Sequence, residues 1–361
     1  MINVTKTFLP DKAKYQAYVD QIFASGWLTN NGHLVQQLEK RLEKYLGVQN
    51  LVLIANGTLA LQVAYKVLFP EKGEVITTPF TFVATSSSLV WEGNIPIYAD
   101  IEPSTLNIDP FNISKLINRK TKAILPVHVF GNSCNISDIQ VLAENSGIKV
   151  IYDAAHAFGV KYNEQSILNF GDASILSFHS TKIFHTIEGG AIIFKNKNDY
   201  ELAKLMINFG IPGYDQISVL GINCKMNEFQ AAMGLCVLDE IDTILQGRKV
   251  VWTNYRSAFE NNSNILLQQI NPSCEHNYSY FPIILPSERD ALIIKEALNE
   301  IDIWPRRYFY PSLESLPYLS NLQKMGISSS IAKKILCLPL YENLDYGIQN
   351  RIIDTVLKFN S

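Results

Sequence analysis

The chain has 361 residues, of which 47% are hydrophobic and 18% are charged, and its formal net charge is -3. This composition supplies enough apolar side chains for a stable globular protein, and the length favours one large domain followed by a smaller one. There is no excess of Lys and Arg and no long basic run, so we do not expect nucleic acid or anionic membranes as partners.

Short apolar runs alternate with helix-like segments through the first half of the chain. The apolar runs are LVLI at 51–54, EVITT at 74–78, PIYAD at 96–100, KAILPV at 122–127 and KVIYDA at 149–154. Helix-like segments follow most of them, including TLALQVAYKVL, a stretch through Trp91 and ISDIQVLAENSG. This rhythm predicts successive β-α-β units, hence an α/β fold whose mainly parallel sheet binds ligands at the carboxyl ends of its strands.

The second half begins with a long helical pattern. From Met226 to about Asn262 apolar residues recur at helical spacing without a proline, which predicts one long helix leading out of the first domain. We therefore expect a large domain over 1–236 and a small C-terminal domain over 237–361. Within the latter, YFPIILP, a helix at about 288–300 and the stretch WPRRYFYPSLESLPYL favour an α+β unit with a loop-rich surface.

The cysteines and the N-terminus bear on the cellular compartment. The stretch MINVTKTFLPDKAKYQ lacks the charged leader and apolar core of a secretion signal, and no apolar run approaches the roughly 20 residues of a membrane span. We therefore expect a cytoplasmic protein. The cysteines form no C-x-x-C pair, which favours free and mostly buried thiols over disulfides or a zinc site. They are Cys134, Cys224, Cys236, Cys274 and Cys337.

Several common catalytic motifs are absent. No strand is followed by G-x-G-x-x-G, and neither G-x-x-x-x-G-K-[ST], G-x-S-x-G nor H-E-x-x-H occurs. The sequence therefore argues against a Rossmann dehydrogenase, a P-loop enzyme, a serine hydrolase and a zincin.

Lys182 and Asp153 interrupt or end strand-like runs. Lys182 lies within SILSFHSTKIFHTIEGGAIIF, and its apolar flanks would let a desolvated amine act as a Schiff-base nucleophile. Asp153 ends the run KVIYD, where a carboxylate can keep a pyridinium nitrogen protonated. The alternatives are a solvated lysine in a turn and an aspartate that caps the next helix. Together, at successive strand ends, the two residues favour a pyridoxal phosphate site.

Two further stretches suit the same cofactor. In IANGTLALQ a helix begins at Gly57 and Thr58 directly after a strand, so backbone N–H groups and a hydroxyl are available for a phosphate. In TTPFTFVATSS, Phe82 follows another strand and offers a flat apolar face to a pyridine ring. Each feature alone is equally compatible with an ordinary helix cap or a core phenylalanine.

At this point a set of motifs resembles one family. ANGTLAL, TPFTFVAT, VHVFGN, YDAAHAFG, SFHSTK with EGGAIIF, and GINCKMNEFQAAMG occur in the order found in the nucleotide-sugar aminotransferases of the DegT/StrS group. The resemblance runs from WLTNNG at 27–32 to LCLPLY at 336–341. It implies the aspartate-aminotransferase fold of type I.

The resemblance also implies roles around the ring of pyridoxal 5'-phosphate. Lys182 resembles the lysine that forms the Schiff base and moves a proton between cofactor and substrate. Asp153 resembles the partner of the pyridine nitrogen, His156 stands near the ring hydroxyl, and Phe82 resembles the stacking aromatic residue.

Further positions match those that bind the phosphate. Gly57, Thr58 and Ser177 resemble the phosphate-binding residues, and Asn223 in GINCKM resembles an asparagine given by the other subunit. The match at Asn223 implies a homodimer with two shared active sites. In this pattern the family usually has arginine where this chain has Lys225, so a bidentate contact is not expected at that position.

The activity implied by the resemblance is transamination, because dehydratases of the family replace the lysine with histidine. The amino donor would be L-glutamate. KIFHTIEGGA, WLTNNG and RRYFYPSL resemble enzymes that act at C4, which predicts conversion of dTDP-4-dehydro-6-deoxy-D-glucose to dTDP-4-amino-4,6-dideoxy-D-glucose for a surface polysaccharide such as a lipopolysaccharide O-antigen. The alternatives are a C3 aminotransferase, a C4 aminotransferase for another nucleotide-linked keto sugar, and a non-catalytic regulatory member of the family.

Four residues are candidates for binding the sugar nucleotide. Arg306 and Arg307 beside Tyr308 would bind a diphosphate and stack against a base or sugar, although a solvated arginine pair on a loop is an equal alternative. His185 lies close to Lys182 in the sequence and would reach a substrate hydroxyl, unless it is a structural histidine.

Overall fold

The protein is seen here as a computed structural model that describes residues 1–213, 215–319 and 323–358. The strands are β1 (Ile2–Asn3), β2 (Leu51–Ile54), β3 (Glu74–Thr77), β4 (Ile95–Tyr98), β5 (Thr121–Leu125), β6 (Lys149–Asp153), β7 (Lys161–Tyr162), β8 (Gln165–Ser166), β9 (Ala173–Ser177), β10 (Gly190–Phe194), β11 (Leu266–Leu267), β12 (Cys274–Glu275), β13 (Phe281–Ile284), β14 (Ile303–Trp304) and β15 (Ile335–Leu338).

The helices follow the predicted alternation with these strands. They are α1 (Lys12–Ser25), α2 (His33–Leu46), α3 (Gly57–Leu68), α4 (Val83–Trp91), α5 (Pro110–Leu116), α6 (Ile136–Ser146), α7 (Lys197–Met206), α8 (Glu228–Asp239), α9 (Ile241–Phe259), α10 (Glu288–Asn299), α11 (Ile327–Lys334) and α12 (Tyr346–Lys358).

A seven-stranded sheet forms the centre of the first domain. Its strand order is β2-β10-β9-β6-β5-β3-β4, and β10 alone runs antiparallel to its neighbours. Alternate residues of each strand join different cores: Leu51 and Leu53 pack with α2, α6 and α8, whereas Val52 and Ile54 pack with α3 and α7. Helices therefore cover both faces of the sheet, as expected for the predicted β-α-β units.

A second hydrophobic core is built from the C-terminal part of the chain. Strand β13 pairs antiparallel with β11 and β15, and α9, α10 and α12 contribute buried residues to the same cluster. The helix predicted at about 288–300 is α10. The N-terminal strand β1 pairs with β14 of this part, so Ile2 and Asn3 are not strands of the large sheet.

The prediction of one long helix from Met226 to Asn262 is wrong, because the segment forms two helices that meet at Glu240. Glu240 has φ -110° and ψ 5°, outside the helical region. Helix α8 packs entirely in the first core, whereas α9 begins there with Ile241 and reaches the second core at Val251. We propose that the chain passes between domains within α9 rather than at 236. Residues 214, 320–322 and 359–361 of the predicted domains lie outside the described residues.

Helix α2 is capped by a side chain from a distant helix. Its own N-cap is Gly32, which has no side chain, and the buried carboxylate of Glu228 accepts from the amides of Leu34 (2.8 Å) and Val35 (3.0 Å) instead. A β-carbon at Gly32 would lie 2.5 Å from the Glu228 carboxyl carbon, so glycine is needed for this approach. Glu228 thus joins the start of α8 to the start of α2.

Glu228→Ala is expected to lower the free energy of unfolding by roughly 2–3 kcal/mol, because two buried amides lose a charged acceptor. The control is Glu240→Ala, which removes an exposed ion pair with Lys14 (2.8 Å) and should cost below about 1 kcal/mol. Urea denaturation measures both values. Equal losses in the two variants would contradict the capping role of Glu228.

The thiols of the protein are not paired in disulfides. All five cysteines are free, and Cys274 is partly exposed while the other four are buried. Within the described parts of the chain, no group of His, Cys, Asp and Glu is arranged to hold a metal ion. None of the described helices has the length and apolar character needed to cross a membrane. The cytoplasmic location stays a prediction.

Candidate active site

A cavity of about 350 Å³ lies at the carboxyl ends of β6 and β9 and at the first turns of α3 and α4. Most of the predicted site residues line it. They are Gly57, Thr58, Phe82, Asp153, His156, Ser177, Lys182, Arg306 and Tyr308. The parallel sheet explains this convergence, because successive strands deliver their C-terminal residues to the same edge.

Asp153 ends β6 and is almost fully buried. Its Oδ2 accepts from the Thr85 hydroxyl (2.8 Å) and its Oδ1 from the amide of Ala155 (3.1 Å). Burial raises the pKa of the Asp153 carboxyl, while these two hydrogen bonds and the charge of Lys182 act in the opposite direction. A cation brought against Asp153 would therefore stabilise its ionised form.

Lys182 follows β9 in the loop that leads to β10; the residue as a whole is partly exposed, but its amine is surrounded by protein. Burial lowers the pKa of its amine from 10.5 to about 8, and the negative charge of Asp153 limits the shift. With that pKa about a tenth of the amine is neutral at pH 7, far more than for a solvated lysine. Lys182 therefore has the neutral form that a nucleophile requires.

Two aromatic side chains differ in how they line the cavity. Phe82 precedes α4 and its side chain is 57% exposed, so its ring is available to a flat ligand. His156 is buried, and its ring stacks on those of Phe309 and Phe130. The positions predicted for contacts with a pyridine ring thus lie in one cavity with Lys182 and Asp153.

The predicted phosphate site is the first turn of α3. The side chain of Asn56 caps the helix by accepting from the amide of Leu59 (2.9 Å), while the amides of Gly57 and Thr58 have no acceptor within the helix. Ser177, at the end of β9, lies next to this turn, since a β-carbon on Gly57 would come within 3.0 Å of the Ser177 β-carbon. Free amides and hydroxyls therefore converge at one point.

Gly190 in β10 lets the strand pass directly beneath this turn. A β-carbon at Gly190 would lie 2.8 Å from the carbonyl carbon of Asn56 and 2.9 Å from the nitrogen of Gly57. Both are backbone atoms of the turn, so an added methyl group must displace the turn itself. This contact explains why the EGGAIIF stretch has glycine at this position.

Gly190→Ala is expected to weaken phosphate binding at the turn by roughly tenfold or more, because the amides of Gly57 and Thr58 move. Titration with inorganic phosphate and with pyridoxal phosphate measures the change. The control is Gly326→Ala before α11, where the added methyl group meets no atom within 4 Å. Unchanged affinity in the Gly190 variant would contradict the assignment of the turn.

The structure does not place His185 in the cavity lining. His185 is buried, its Nε2 lies 2.7 Å from the carbonyl oxygen of Phe8, and its Nδ1 accepts from the amide of Ile187. Both ring nitrogens are thus engaged by the backbone, as in the structural alternative. A contact between His185 and a substrate hydroxyl is not supported by this geometry.

Of the arginine pair, Arg306 alone lines the cavity. Arg306 forms a β-bridge with Cys337, and successive side chains of an extended segment point in opposite directions. Arg307 therefore points away and donates to Glu288 (2.7 Å) and to the carbonyl of Lys333 (3.0 Å). The prediction that both arginines bind the substrate is not supported for Arg307.

Asn223 also lies outside the lining of the cavity. It is exposed, and its side-chain oxygen accepts from the amine of Lys225 (2.9 Å). A role in the site of a second subunit stays a prediction. Residues that the sequence analysis missed are Thr85, which orients Asp153, and the lining pair His179 and Glu188, 3.6 Å apart.

Comparison with known proteins identifies the family. Residues 10–357 match the profile of the DegT/DnrJ/EryC1/StrS aminotransferase family. The chain belongs to this family. The predicted family, fold type and aminotransferase activity are thereby confirmed.

Individual family members extend over nearly the whole chain. A dTDP-4-amino-4,6-dideoxy-D-glucose transaminase of Shigella dysenteriae is 42% identical over 98% of this chain and 98% of its own. A transaminase of the same name from Escherichia coli is 38% identical over 99% and 98%, respectively. The crystal structure of DesI with its TDP-sugar product superposes with a TM-score of 0.93 at 28% identity, covering 99% of this chain and 93% of DesI.

Proposed function

We propose that this aminotransferase uses pyridoxal 5'-phosphate to move the amino group of L-glutamate to C4 of dTDP-4-dehydro-6-deoxy-D-glucose. The observation that carries the proposal is the presence of Lys182 and Asp153 in one cavity, the first with a depressed amine pKa and the second buried. The names of the Shigella and Escherichia relatives support the sugar, the nucleotide and the carbon.

The residues of the cavity suit each part of the cofactor. Lys182 suits an aldehyde, Asp153 a pyridine nitrogen, and the turn at Gly57 and Thr58 a phosphate. The cavity volume of about 350 Å³ is in the range of cofactor sites. When bound, pyridoxal 5'-phosphate supplies an aldehyde that reacts with amines and a ring that accepts electrons.

The residues then divide the chemical work between them. The neutral Lys182 amine is the nucleophile that attaches the aldehyde, and once released it is the base that takes the proton from the amine-bearing carbon of glutamate. In the second half-reaction Lys182 gives a proton to C4 of the sugar. Asp153, fixed by Thr85, keeps the ring nitrogen protonated through its negative charge.

Both substrates are anions, and Arg306 supplies positive charge at the cavity. Its guanidinium lies 5.0 Å from the ring centre of Tyr308, and both residues line the cavity. A guanidinium binds a carboxylate or a diphosphate through paired hydrogen bonds, so Arg306 suits each substrate in turn.

The homodimer is part of the proposal. Near Asn223 the chain exposes Phe209, Ile217, Leu220 and Ile222, and an apolar surface of this kind is normally covered. A second copy would cover it and would bring Asn223 to the phosphate turn of its partner. The amino sugar is expected to enter a surface polysaccharide.

The decisive experiment is the identification of the product. The enzyme is incubated with pyridoxal phosphate, L-glutamate and one keto sugar at a time: the dTDP-, GDP- and UDP-linked 4-dehydro sugars and the dTDP-linked 3-dehydro sugar. We expect the dTDP-linked 4-dehydro sugar to react fastest, with the nitrogen located at C4 by NMR. Faster amination at C3, or of a GDP- or UDP-linked sugar, would favour the corresponding alternative, and no product from any sugar would favour a non-catalytic protein.

A further inference from the structure

The motif VHVFGN at 127–132 lies outside the chemistry assigned so far, yet its backbone is strained. Phe130 is buried and has φ 59°, a conformation uncommon for residues other than glycine. The next residue, Gly131, has φ 83°. Residues held in this region of the backbone often serve a nearby site, and the nearest functional residue here is His156.

The strained backbone of Phe130 contacts two imidazoles. Its amide donates to Nδ1 of His156 (3.3 Å), and its carbonyl oxygen lies 2.9 Å from Nε2 of His276. Nδ1 of His276 accepts from the amide of Tyr278 (3.0 Å), so the proton of His276 must be on Nε2, which donates to Phe130. The His276 ring therefore donates to the carbonyl of Phe130, and the amide of Phe130 in turn donates to the His156 ring.

The contact with Phe130 determines the proton position in His156. An amide only donates, so the nitrogen that accepts from it carries no proton, and a neutral imidazole must then carry its proton on Nε2. Nε2 of His156 has no hydrogen-bond partner among the described residues, and the residue lines the cavity. We propose that Phe130 and His276 are positioning residues that fix His156 as a neutral Nε2–H donor to the ligand.

The contacts around His156 hold its imidazole ring in one orientation. Its ring is parallel to that of Phe309 within 2° at 5.8 Å, and the edge of Tyr280 closes another side. Its carbonyl oxygen accepts from Asn277 (2.9 Å) and Ser279. Both the ring and the main chain of His156 are therefore immobilised before a ligand binds.

Gly131 leaves no space for a side chain in this arrangement. A β-carbon would lie 2.3 Å from Oδ1 of Asn277 and 3.0 Å from the carbonyl oxygen of His156. Phe130 of the motif thus directs its amide at His156, and Gly131 lets the 277–279 segment approach His156.

Charge around His156 also opposes its protonation. Burial lowers the pKa of the His156 imidazole well below 6.5, and the nearby Lys182 amine lowers it further. Arg248 and Tyr280 face the same small space. The carboxyl groups of Asp153 and Glu188 also line the cavity, but the pKa of His156 is shifted only by burial and by the Lys182 amine. We therefore expect His156 to stay neutral between pH 6 and pH 9.

The inference rests on the proposed function for the identity of the ligand, but its first test does not. The full-length, cofactor-free protein is labelled with ¹⁵N-histidine, and long-range ¹H–¹⁵N correlations are recorded between pH 6 and pH 9. His156→Gln assigns the signal among the six histidines. We expect a neutral Nε2–H imidazole for His156 that does not titrate. A proton on Nδ1, or a protonation midpoint within this range, would overturn the inference.

Two matched pairs of variants test the chain of contacts. His276→Gln keeps a donor to Phe130 and an acceptor for Tyr278, whereas His276→Leu keeps neither, so only the leucine variant should mix the two tautomers of His156. A single unchanged tautomer in folded His276→Leu protein would overturn the role of His276.

In the cavity, His156→Gln should bind pyridoxal phosphate about tenfold more tightly than His156→Leu, since glutamine still accepts from Phe130 and donates to the ligand.

Equal affinities of the two His156 variants would overturn the donor role. Failure of the proposed function has a different signature, because wild-type protein would then take up no pyridoxal phosphate while its His156 tautomer remained as inferred.

Discussion

Lys182→Ala is expected to bind pyridoxal phosphate only noncovalently and to lose transaminase activity by roughly 10⁴-fold or more. The variant lacks both the amine that attaches the aldehyde and the base that moves the proton, and other groups of the cavity do not replace them. Borohydride reduction followed by mass spectrometry measures attachment: the wild type should gain the cofactor mass on the peptide of Lys182, and the variant should gain none.

A neighbouring surface lysine provides the control for this prediction. Lys195 is exposed directly after β10, so Lys195→Ala should keep both attachment and activity. Full activity in Lys182→Ala, or cofactor mass on another lysine in the wild type, would contradict the assignment.

The depressed pKa of Lys182 adds a pH dependence. Only the neutral amine attacks the aldehyde, so the rate of covalent cofactor attachment should rise with pH and level off above about 8, rather than near the ordinary 10.5. Stopped-flow absorbance of the cofactor-free enzyme mixed with pyridoxal phosphate measures this midpoint. A rate still rising steeply above pH 9 would show that Lys182 is solvated like a surface lysine.

Asp153→Asn is expected to reduce transamination by roughly 10²–10³-fold while the protein remains folded. Asparagine fills the same space and still accepts a hydrogen bond, but it carries no charge to keep a pyridine nitrogen protonated. Replacing this buried carboxylate with an amide should leave the free energy of unfolding unchanged or higher, because burial opposes the ionisation of Asp153. Single-turnover rates and urea denaturation separate these two effects.

The same variant should also change Lys182. The charge of Asp153 raises the pKa of the Lys182 amine, so the midpoint for cofactor attachment should move below about 8 in Asp153→Asn. The control is Asp172→Asn, which breaks a surface ion pair with Lys149 (2.8 Å) outside the cavity and should leave the midpoint in place. Normal turnover together with an unshifted midpoint in Asp153→Asn would contradict both roles of this carboxylate.

The large sheet and the centre of the site could be predicted because they follow short-range rules. Each buried strand reads as a continuous apolar run, and parallel strands place the residues after them at one edge. Asp153 ends β6 and Lys182 follows β9, and these strands are neighbours in the sheet, so the meeting of both residues in one cavity follows from topology. The motifs of the family then assigned roles that residue types alone left open.

Other features depend on contacts that a linear pattern does not contain. The break at Glu240 involves neither glycine nor proline and reflects two cores far apart in the sequence. Arg306 and Arg307 looked equivalent until the bridge to Cys337 fixed which one faces the cavity. The sequence assigned Phe130 no role, because its contact with the site is made by a backbone amide directed at His156. One local feature of the sequence indicates a role for Thr85, because it lies one helical turn beyond Phe82, which was itself predicted to line the site.

The measurement that tests the central claim most directly is the absorption spectrum of the purified enzyme with pyridoxal phosphate, recorded before and after L-glutamate and then after dTDP-4-dehydro-6-deoxy-D-glucose. We predict that the visible band of the lysine-bound cofactor disappears with glutamate and returns with the sugar. A band that disappears but does not return would contradict the proposed sugar. A protein that forms no such band would contradict the role of Lys182 and with it the proposed function.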